Sequence, residues 1–441
     1  MENELINIAE DILKLSDTSV DIVIFYNHYL FRRYANSFIH QSTLEKTYLI
    51  GVRLRYDNKF SVFWTNSRDK EHLSYLIKTA KKSLKESNYI LPMTKKQIAD
   101  YEYAYDEYEI VSDTTSKIIK DIIYIGKDYR SFGNLYTGFQ HILLFSSDGF
   151  SAYNKVSINN LTINYMNKTS AWSQYSSYKF SDILENYESI AKDCLEKLKL
   201  SENISEIEPG KYDVILTSLA FSDILEIINY YALSGINYYE GLSPFSGKIG
   251  KRIFSERFNL YDEPLNKGLL PIGFDLEGNI KANIPVIENG ILKNVALNNK
   301  YAKLLNLENT ACAFSFSSDF AIFSHLHLKG GNKPLKKIIE DTERGVLVNR
   351  IWYVNLVEPT SLTITGMTRD GLFLIEDGKL KSGLRNMRFN QSFIDALNSE
   401  VELSSDEKLI VNSNFYEFFP KGMILPDIKI PNFYFISKTE F

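Results

Sequence analysis

The 441-residue sequence contains only two cysteines and three tryptophans, and it has no long uninterrupted apolar run. The cysteines, Cys194 and Cys312, lie far apart in the chain, so we expect two buried free thiols and not a disulfide framework. Cys312 paired with a distant histidine as a nucleophile stays an alternative, although no activating neighbour is visible. Because the N-terminus lacks a basic and apolar leader and no run is long enough to span a membrane, we expect a reducing cytoplasm.

The sequence also lacks any excess of basic residues. Its 50 Lys and Arg residues are outnumbered by 55 Asp and Glu residues, which gives a formal net charge of −5 and an isoelectric point near 5.8. Binding to a nucleic-acid backbone depends on Lys and Arg contacts with phosphate, and this composition supplies no general attraction of that kind. We therefore expect no nucleic acid and no membrane among the direct partners.

Aromatic residues, by contrast, are abundant. The chain has 29 Tyr and 28 Phe residues, which suit half-buried sheet surfaces better than helical bundles and predict a sheet-rich protein. The length exceeds that of a typical single core, so two domains are expected. The polar stretch SENISEIEPG, which ends in Pro-Gly, places their boundary between residues 1–205 and residues 206–441.

The first half alternates strand-like and helical patterns. Residues 20–41 and 47–66 are rich in β-branched and aromatic residues, and Asp57-Asn58 marks a turn, which together predict an antiparallel meander. The stretch KEHLSYLIKTAKKSLKES has apolar residues at helical spacing, and FSDILENYESIAKDCLEKLKL predicts a long amphipathic helix at the end of this half. We expect an N-terminal α/β domain with an antiparallel sheet.

The second half is predicted to be mostly β. After the strand YDVILTS, a helix is expected with Ser222 as its N-cap. The stretches GNIKANIPVIENGILKNV, LTITGMTRDGLFLIEDGKL and ILPDIKIPNFYFIS each predict paired strands joined by polar turns. The expected fold class is α+β, with a C-terminal, mostly antiparallel and barrel-like β domain.

The glycine-containing stretch GLSPFSGKIG, residues 241–250, raises the possibility of a phosphate-binding loop. A Walker A loop needs four residues between its glycines and a Ser or Thr after the lysine, whereas Ile249 follows Lys248 in this stretch. The glycine spacing does not match the dinucleotide-binding fingerprint either. These glycines are therefore expected to serve backbone turning and close packing.

Several short stretches, in their order and spacing, resemble the TldD/PmbA family. The resemblance spans nearly the whole chain. TldD-type members of this family are zinc peptidases, and PmbA (TldE)-type members lack the metal site. The matching stretches are EPGKYDVIL (208–216), SPFSGKIGKRIFSERFNLYDEP (243–264), FDLEG (274–278), IENGILKNV (287–295), TGMTRDGLFLIEDGKL (365–380) and RNMRFNQS (385–392).

The resemblance also locates a degenerate metal site. In TldD-type members, a helix carries H-E-x-x-x-H, which supplies two zinc ligands and a general base. The matching stretch is EIINYY, so that Glu226 and Tyr231 stand at the histidine positions and Ile227 stands at the glutamate position. No cysteine follows Cys312 to act as a late third ligand. We expect no catalytic residue, no metal and no cofactor in this chain, with zinc only in a TldD-like partner.

Residues around this helix are candidates for a peptide-binding groove. On a regular helix, Ile224 and Ile228 gather on one side, whereas Glu226 and Asn229 point away and Tyr231 lies roughly 140° from Glu226. The candidate groove positions are Glu226, Ile227, Tyr230, Tyr231, Ser243, Phe245 and Gly247. Plain packing of the tyrosines stays an alternative.

The stretch SHLHL offers a second candidate metal site. His325 and His327 are two residues apart, which on a strand directs both imidazoles to one face. No Cys or carboxylate in the immediate stretch completes a ligand set. The expected reading is a hydrogen-bonded strand pair, with a metal site as the alternative.

The resemblance implies a non-catalytic, TldE-type subunit of a cytoplasmic zinc peptidase that acts on unfolded or small peptides. Its partners would be a TldD-like subunit and extended peptides, which could be held by strand addition. A homodimeric peptide-binding or chaperone-like module and a stand-alone peptidase with an unrecognised site are the alternatives.

Overall fold

The computed structural model describes residues 1–108, 110, 112–411 and 419–439. These residues form a mixed α+β fold of three sheets, so the predicted fold class is confirmed. One sheet belongs to the first half of the chain, and two sheets belong to the second half. No helix within the described ranges has both the length and the apolar character needed to cross a membrane.

The first half is built on a seven-stranded sheet in the order β4-β3-β2-β1-β5-β6-β7, and every neighbouring pair is antiparallel. Helices α1 and α2 cover one part of the sheet, and α3 and α4 cover another. The elements are α1 (Glu2–Lys14), β1 (Ser19–Ala35), β2 (Phe38–Tyr56), β3 (Lys59–Thr65), α2 (Lys70–Lys81), β4 (Lys85–Glu86), α3 (Ser112–Ile125), β5 (Arg130–Ser146), β6 (Ser151–Met166), β7 (Ser170–Ser177) and α4 (Phe180–Glu202).

Local sequence explains most of this half. The predicted meander is formed by β1, β2 and β3, and Asp57 takes the left-handed conformation (φ 52°) that a two-residue hairpin turn requires. Asp69 caps α2 by accepting a hydrogen bond from the His72 backbone N–H at 2.7 Å. Leu73 and Ile77 of α2 are buried, as their helical spacing predicted.

The second half forms a six-stranded sheet in the order β12-β11-β10-β13-β22-β21 and a ten-stranded sheet in the order β15-β16-β19-β23-β9-β14-β17-β18-β8, with β20 beside β23. Its elements are β8 (Ile204–Ser205), β9 (Gly210–Leu216), α5 (Ser218–Ile227), a π-helical turn (Ile228–Ala232), α6 (Gly235–Tyr239), β10 (Leu260–Asp262), a 3-10 turn (Lys267–Leu269), β11 (Ile284–Glu288), β12 (Ile291–Leu292), α7 (Asn299–Leu305), β13 (His325–Leu328), α8 (Leu335–Glu340), β14 (Arg344–Val348), β15 (Ile351–Glu358), β16 (Thr363–Thr368), β17 (Leu372–Glu376), β18 (Lys379–Leu384), β19 (Met387–Ser392), α9 (Phe393–Asn398), β20 (Glu402–Leu403), β21 (Lys408–Ile410), β22 (Gly422–Leu425) and β23 (Ile428–Lys438).

The barrel-like arrangement expected for the second half is wrong. Its described strands make two open sheets, and the larger sheet ends at β15 and β8 without closing on itself. Most strand pairs are antiparallel, but β13 with β22, β14 with β9, and β18 with β8 are parallel. The predicted domain boundary after residue 205 falls directly behind β8 and stays a prediction.

Two of the predicted strand pairings are also wrong. Strand β16 pairs with β15 and β19 and not with β17, which follows it in the chain. Strands β22 and β23 lie in different sheets, because the short segment between them crosses from one sheet to the other. Asp427 in that segment is buried and accepts a hydrogen bond from the Ser218 backbone N–H at 2.7 Å, which anchors the crossing at the start of α5.

The two halves meet through an apolar cluster. Arg53 of β2 reinforces this contact, since its guanidinium donates to the Phe316 carbonyl at 2.9 Å and lies 4.2 Å from the Phe316 ring centroid. The cluster joins buried residues of the first half to buried residues of the second: Val23, Phe25, Met93, Ile142, Leu144, Phe150 and Ala152 with Ile272, Phe274, Leu276, Phe316 and Phe419.

Candidate functional site

The candidate site is built on α5, which begins one turn earlier than predicted. The Thr217 hydroxyl caps the helix by accepting from the Ala220 backbone N–H at 3.3 Å. Ser222 is therefore not the N-cap but a buried residue of the second turn, whose hydroxyl donates to the Leu219 carbonyl at 2.8 Å. Because Asp427 accepts the Ser218 N–H, the start of α5 is held by two side chains.

The helix ends in a π-helical turn, which the sequence did not predict. In this turn the Leu233 backbone N–H donates to the Ile228 carbonyl at 3.0 Å. Asn229, which was expected to point away, is only 2% exposed; its Nδ2 donates to the Phe323 carbonyl at 2.8 Å and its Oδ1 accepts from the Phe323 N–H at 3.3 Å. The extra residue in the turn changes side-chain directions, so the angle of roughly 140° drawn for a regular helix does not apply beyond Ile227.

Glu226 is the acidic group of the site. Its carboxylate forms an ion pair with the Lys421 ammonium at 2.6 Å, and both side chains are mostly buried. The same ammonium lies 5.7 Å from the Tyr230 ring centroid, and the Tyr230 ring stacks on Phe320 with centroids 5.5 Å apart. A cation from the protein itself therefore contacts the carboxylate of Glu226.

The neighbouring degenerate positions carry no metal-ligating chemistry. Ile227 is partly buried and packs against the core of the second half. The Tyr231 side chain is 49% exposed, and its backbone carbonyl accepts from Asn237 Nδ2 at 3.0 Å. Tyr231 is thus the more exposed of the two tyrosines predicted to line a groove, and the nearby Tyr239 has a similar exposure of 47%.

The stretch around Ser243 and Phe245 lies mainly inside the fold. Ser243 is buried and its hydroxyl donates to the Ala232 carbonyl at 2.6 Å, and Phe245 is 1% exposed. Gly247, like the other two glycines of GLSPFSGKIG, has a positive φ. This confirms their role in backbone turning. The expected close packing is wrong, because an added Cβ at Gly241, Gly247 or Gly250 would meet no atom within 4 Å.

A pocket opens beside Glu226 and Tyr230. The space in it that a water-sized molecule could occupy is about 10 Å³, enough for one small polar group. The polar groups at its base are the Glu226–Lys421 pair and Asn229, and apolar side chains form its walls. The lining residues are Glu226, Asn229, Tyr230, Ile322, Phe323, Ser324, Leu326, Ile410, Lys421, Gly422 and Met423.

Sequence reasoning missed Asp223, which lies one turn before Glu226 on α5. Burial raises the pKa of the Asp223 carboxyl to about 7; the Arg350 guanidinium opposes this shift, and the Glu226 carboxylate adds to it. A carboxyl that changes charge near neutral pH is a candidate for proton exchange or for binding an amine. Its spacing of three residues from Glu226 was the only sequence signal.

The His325 and His327 pair on β13 is committed to structural contacts. His325 is fully buried, and its Nε2–H donates to the Leu270 carbonyl at 3.0 Å. Its Nδ1 lies 2.7 Å from the Ser324 hydroxyl. Burial lowers the pKa of this imidazole to about 3. His327 lies between Glu263 (2.8 Å) and Glu407 (2.9 Å), and hydrogen bonds to these carboxylates raise its pKa against the opposing effect of burial. These contacts agree with the prediction that the two histidines are hydrogen-bonded residues of a strand.

Cys312 shows no sign of nucleophile activation. The thiol is buried, and burial raises its pKa to about 12. Cys194 is also a buried free thiol, as predicted. Within the described ranges, no three or more His, Cys, Asp or Glu side chains are grouped so that they could hold a metal ion.

Comparison with known proteins identifies relatives of the whole fold. Metalloproteases of Methanothermobacter thermautotrophicus and Methanocaldococcus jannaschii are 26% and 23% identical to this chain, over 51% and 82% of its length. The alignments span 50% of the first relative and 84% of the second. The crystal structure of TldE from Thermococcus kodakarensis matches 98% of this chain and 100% of its own length, with a TM-score of 0.84 and 19% sequence identity.

The family assignment follows from the second half. The profile of the PmbA/TldA metallopeptidase C-terminal domain matches residues 209–437, which is just over half of the chain. This match includes α5, the pocket and both sheets of the second half. The resemblance predicted from short stretches of sequence is confirmed: the chain belongs to the PmbA/TldD family of metallopeptidase-related proteins.

Proposed function

We propose that this chain is the non-catalytic subunit of a two-chain, cytoplasmic metallopeptidase that acts on unfolded or small peptides. A TldD-like partner would carry the metal and the general base. This chain would contribute one wall of the peptide-binding groove and the contact surface for the partner. The observation that carries the proposal is the chemistry of α5, where the degenerate metal-site positions hold Glu226, Ile227 and Tyr231.

These side chains do not fit a zinc site. Zinc in peptidases is held by His, Cys or carboxylate ligands and activates a bound water next to a general base. The Glu226 carboxylate is already neutralised by Lys421 at 2.6 Å, Ile227 has no polar atom, and Tyr231 is directed largely to solvent. No catalytic step through a metal is therefore assigned to this chain.

The pocket and the tyrosines support a role in binding peptides. Apolar walls with a few convergent polar groups are typical of ligand sites. Tyr230 at the pocket and Tyr231 beside it offer aromatic surface for side chains of an extended peptide, which strand addition would hold through its backbone. Ser243 and Phe245 would support this wall from inside the fold.

Two alternatives remain for the same pocket. The chain could act as a homodimeric peptide-binding or chaperone-like module, which requires no metal-bearing partner. It could also be a peptidase with its own catalytic set, for which the Asp223 carboxyl with a pKa of about 7 is the best candidate acid or base.

Co-purification from the native organism tests the proposal. Tagged chain should retain a TldD-like relative in a stoichiometric complex, and elemental analysis should find zinc in the complex but not in the chain purified alone. A chain that binds about one zinc by itself would contradict the proposal. Purification of a dimer without any such relative would favour the homodimeric module.

A further inference from the structure

Beyond the apolar cluster, the two halves meet along a polar seam. We define the seam as the contact of β6 and β7 with Asn349, Arg350, Asp370 and Val411. Four direct hydrogen bonds cross it: Asn160 Nδ2 and Gln174 Nε2 to the Val411 carbonyl (2.7 and 3.2 Å), Asn349 Nδ2 to the Trp172 carbonyl (2.8 Å) and the Ser170 hydroxyl to Asp370 (2.6 Å). The Arg350 guanidinium lies 4.1 Å from the Trp172 ring centroid and pairs with Asp370 at 2.7 Å.

Three buried polar atoms of the seam have no hydrogen-bond partner among the described residues. These atoms are Asn160 Oδ1, Trp172 Nε1 and Ser176 Oγ. Asn160 and Ser176 are directly opposite each other on β6 and β7, and their exposures are 3% and 6%. A buried polar group without a partner destabilises the closed arrangement, because water would satisfy it after separation.

Most of the rest of the contact between the halves is apolar, and a smaller apolar cluster joins Val156 of β6 to Leu270 and Val411 at the edge of the seam. The apolar cluster around Phe25, Phe274 and Phe316 would lose its hydrophobic stabilisation if it separated. The seam would instead exchange a few side-chain hydrogen bonds for bonds to water and would hydrate its three unpartnered atoms. Opening the seam would also expose the small Val156–Leu270–Val411 cluster, but this cluster is smaller than the apolar cluster around Phe25, Phe274 and Phe316, so we expect the seam to separate first and the larger cluster to act as the pivot.

The seam leads directly to the pocket. Arg350 lies over the Trp172 ring in the seam, and its charge is near enough to the Asp223 carboxyl on α5 to oppose the rise of that group's pKa. From Asp223 the helix continues to Glu226 and Tyr230, which line the pocket, and Ile410 of the pocket wall is adjacent in sequence to Val411 of the seam. A polypeptide that enters between Trp172 and Arg350 would lie along Asp223, Glu226 and Tyr230.

We propose that the halves part along this polar seam, with the apolar cluster as pivot, and that the opening admits an extended polypeptide to α5. The second part rests on the proposed function, whereas the opening itself does not. The opening requires no metal and no partner chain, so both parts are testable on the purified full-length chain.

Native-state thiol labelling tests the opening. Ser176→Cys in the seam is compared with the control Ser61→Cys. Ser61 is also a buried serine whose hydroxyl has no hydrogen-bond partner among the described residues. Unlike Ser176, it lies away from the seam, opposite Leu54 on the face of the sheet covered by α1 and α2. N-ethylmaleimide should label Ser176→Cys at least about tenfold faster than Ser61→Cys after correction for each variant's global stability. If both cysteines were labelled at the same rate, and that rate matched the rate of global unfolding, the proposed opening would be wrong.

The unpartnered atoms are tested by adding Trp172→Phe to Ser176→Cys. Phenylalanine keeps a ring beneath Arg350 but removes the indole N–H that has no partner. If hydration of such atoms favours the open state, labelling should become about threefold slower or more. Unchanged or faster labelling would show that these atoms do not promote opening.

A cross-link across the seam tests admission of polypeptide. Ser170→Cys and Asp370→Cys are combined and bridged with dibromobimane, since the native side chains are 2.6 Å apart. The same double variant without the cross-linker is the control for loss of Asp370. A short, unstructured fluorescein-labelled peptide should bind the open form at least about tenfold more tightly than the bridged form. Equal binding of the peptide to the open and bridged forms would overturn the entry route. Binding to neither form would overturn peptide binding itself. In that case the labelling result would still decide whether the seam opens.

Discussion

The helix α5, expected to carry a degenerate metal site, and the strand β13, whose histidines were the alternative metal site, are used differently in the structure. On α5, Glu226 is paired with Lys421 beside a pocket, and Tyr231 is half exposed. On β13, His325 is fully buried and His327 is held between Glu263 and Glu407. The polar groups of β13 stabilise the fold, whereas those of α5 lie where a ligand could contact them.

This difference shows that residue type and spacing do not by themselves identify a functional site. His325 and His327 are the better ligands by type, but their surroundings already satisfy their ring nitrogens. Glu226 and Tyr231 are poorer ligands, yet Glu226 lines a pocket and Tyr231 is half exposed. Substitutions on β13 should therefore change stability, as should substitutions at the buried acids of α5, whereas substitution of the half-exposed Tyr231 should mainly change binding.

The largest expected effect is on the pH dependence of stability, through His325. Its folded-state pKa of about 3 lies below the unfolded value near 6.5, so below pH 6.5 the unfolded chain binds a proton that the folded chain does not. Stability should fall as the pH drops from about 6.5 toward 3. His325→Gln keeps a donor toward the Leu270 carbonyl and removes this titration, so at pH 4.5 it should regain about 2 kcal/mol relative to wild type.

Denaturant unfolding of both proteins at pH 7 and pH 4.5 measures this effect. Parallel changes in the two proteins would mean that His325 does not carry the acid sensitivity. His327→Gln is the control, because its raised pKa gives the opposite sign: it contributes stability below the unfolded value near 6.5, and that contribution is lost as the pH rises through its folded-state pKa.

Asp223 on α5 should produce an effect of about the same size in the alkaline direction. Its folded-state pKa of about 7 lies above the unfolded value near 3.9, so stability falls as the pH rises between these values. Asp223→Asn should stabilise the chain at pH 8 by about 2 kcal/mol, after allowance for solvent screening, and should have little effect at pH 4. The exposed Asp193→Asn on α4 is the matched control. A loss of stability at pH 8 would contradict this reading of Asp223.

The Glu226–Lys421 pair gives the next largest effect. Each single variant, Glu226→Gln or Lys421→Met, leaves one mostly buried charge without this partner and should cost about 1–2 kcal/mol. The double variant should be within about 0.5 kcal/mol of wild type, which a double-mutant cycle measures. The exposed Glu188–Lys192 pair on α4 is the control and should show coupling below about 0.5 kcal/mol. Simple additivity of the two singles would show that the pair is not coupled.

The smallest effect on stability is expected at Tyr231. Because its side chain is 49% exposed, Tyr231→Arg should change the free energy of unfolding by less than about 0.5 kcal/mol. It should nevertheless weaken binding of an unstructured peptide, which fluorescence anisotropy measures. Tyr75→Arg, at an exposed position of α2, should leave binding unchanged. If Tyr231→Arg and Tyr75→Arg bound the peptide equally well, Tyr231 would not be part of the peptide site.

The sequence predicted those features that depend on neighbours along the chain. The β2–β3 turn at Asp57, the amphipathic α2 and α4, and the turn-forming glycines of GLSPFSGKIG follow from local patterns. The family resemblance is confirmed for the second half, which contains α5.

Features that depend on distant residues were missed. The start of α5 is set partly by Asp427, which lies more than two hundred residues later in the chain. Asn229 is buried because Phe323 supplies both of its hydrogen-bond partners, and the pKa of Asp223 reflects burial and Arg350. Strands β22 and β23 separate into two sheets for the same reason: their partners are β13 and β9, which no local pattern indicates.

Reconstitution of peptidase activity tests the central proposal most directly. The purified chain should not cleave an unfolded peptide alone, because α5 supplies no metal-activated water, which contributes orders of magnitude in rate. Mixed with a TldD-like partner from the same organism, it should form a complex that cleaves the peptide and is silenced by a chelator. Chelator-resistant cleavage by this chain alone, or a partner that is equally active without it, would contradict its assignment as a non-catalytic subunit.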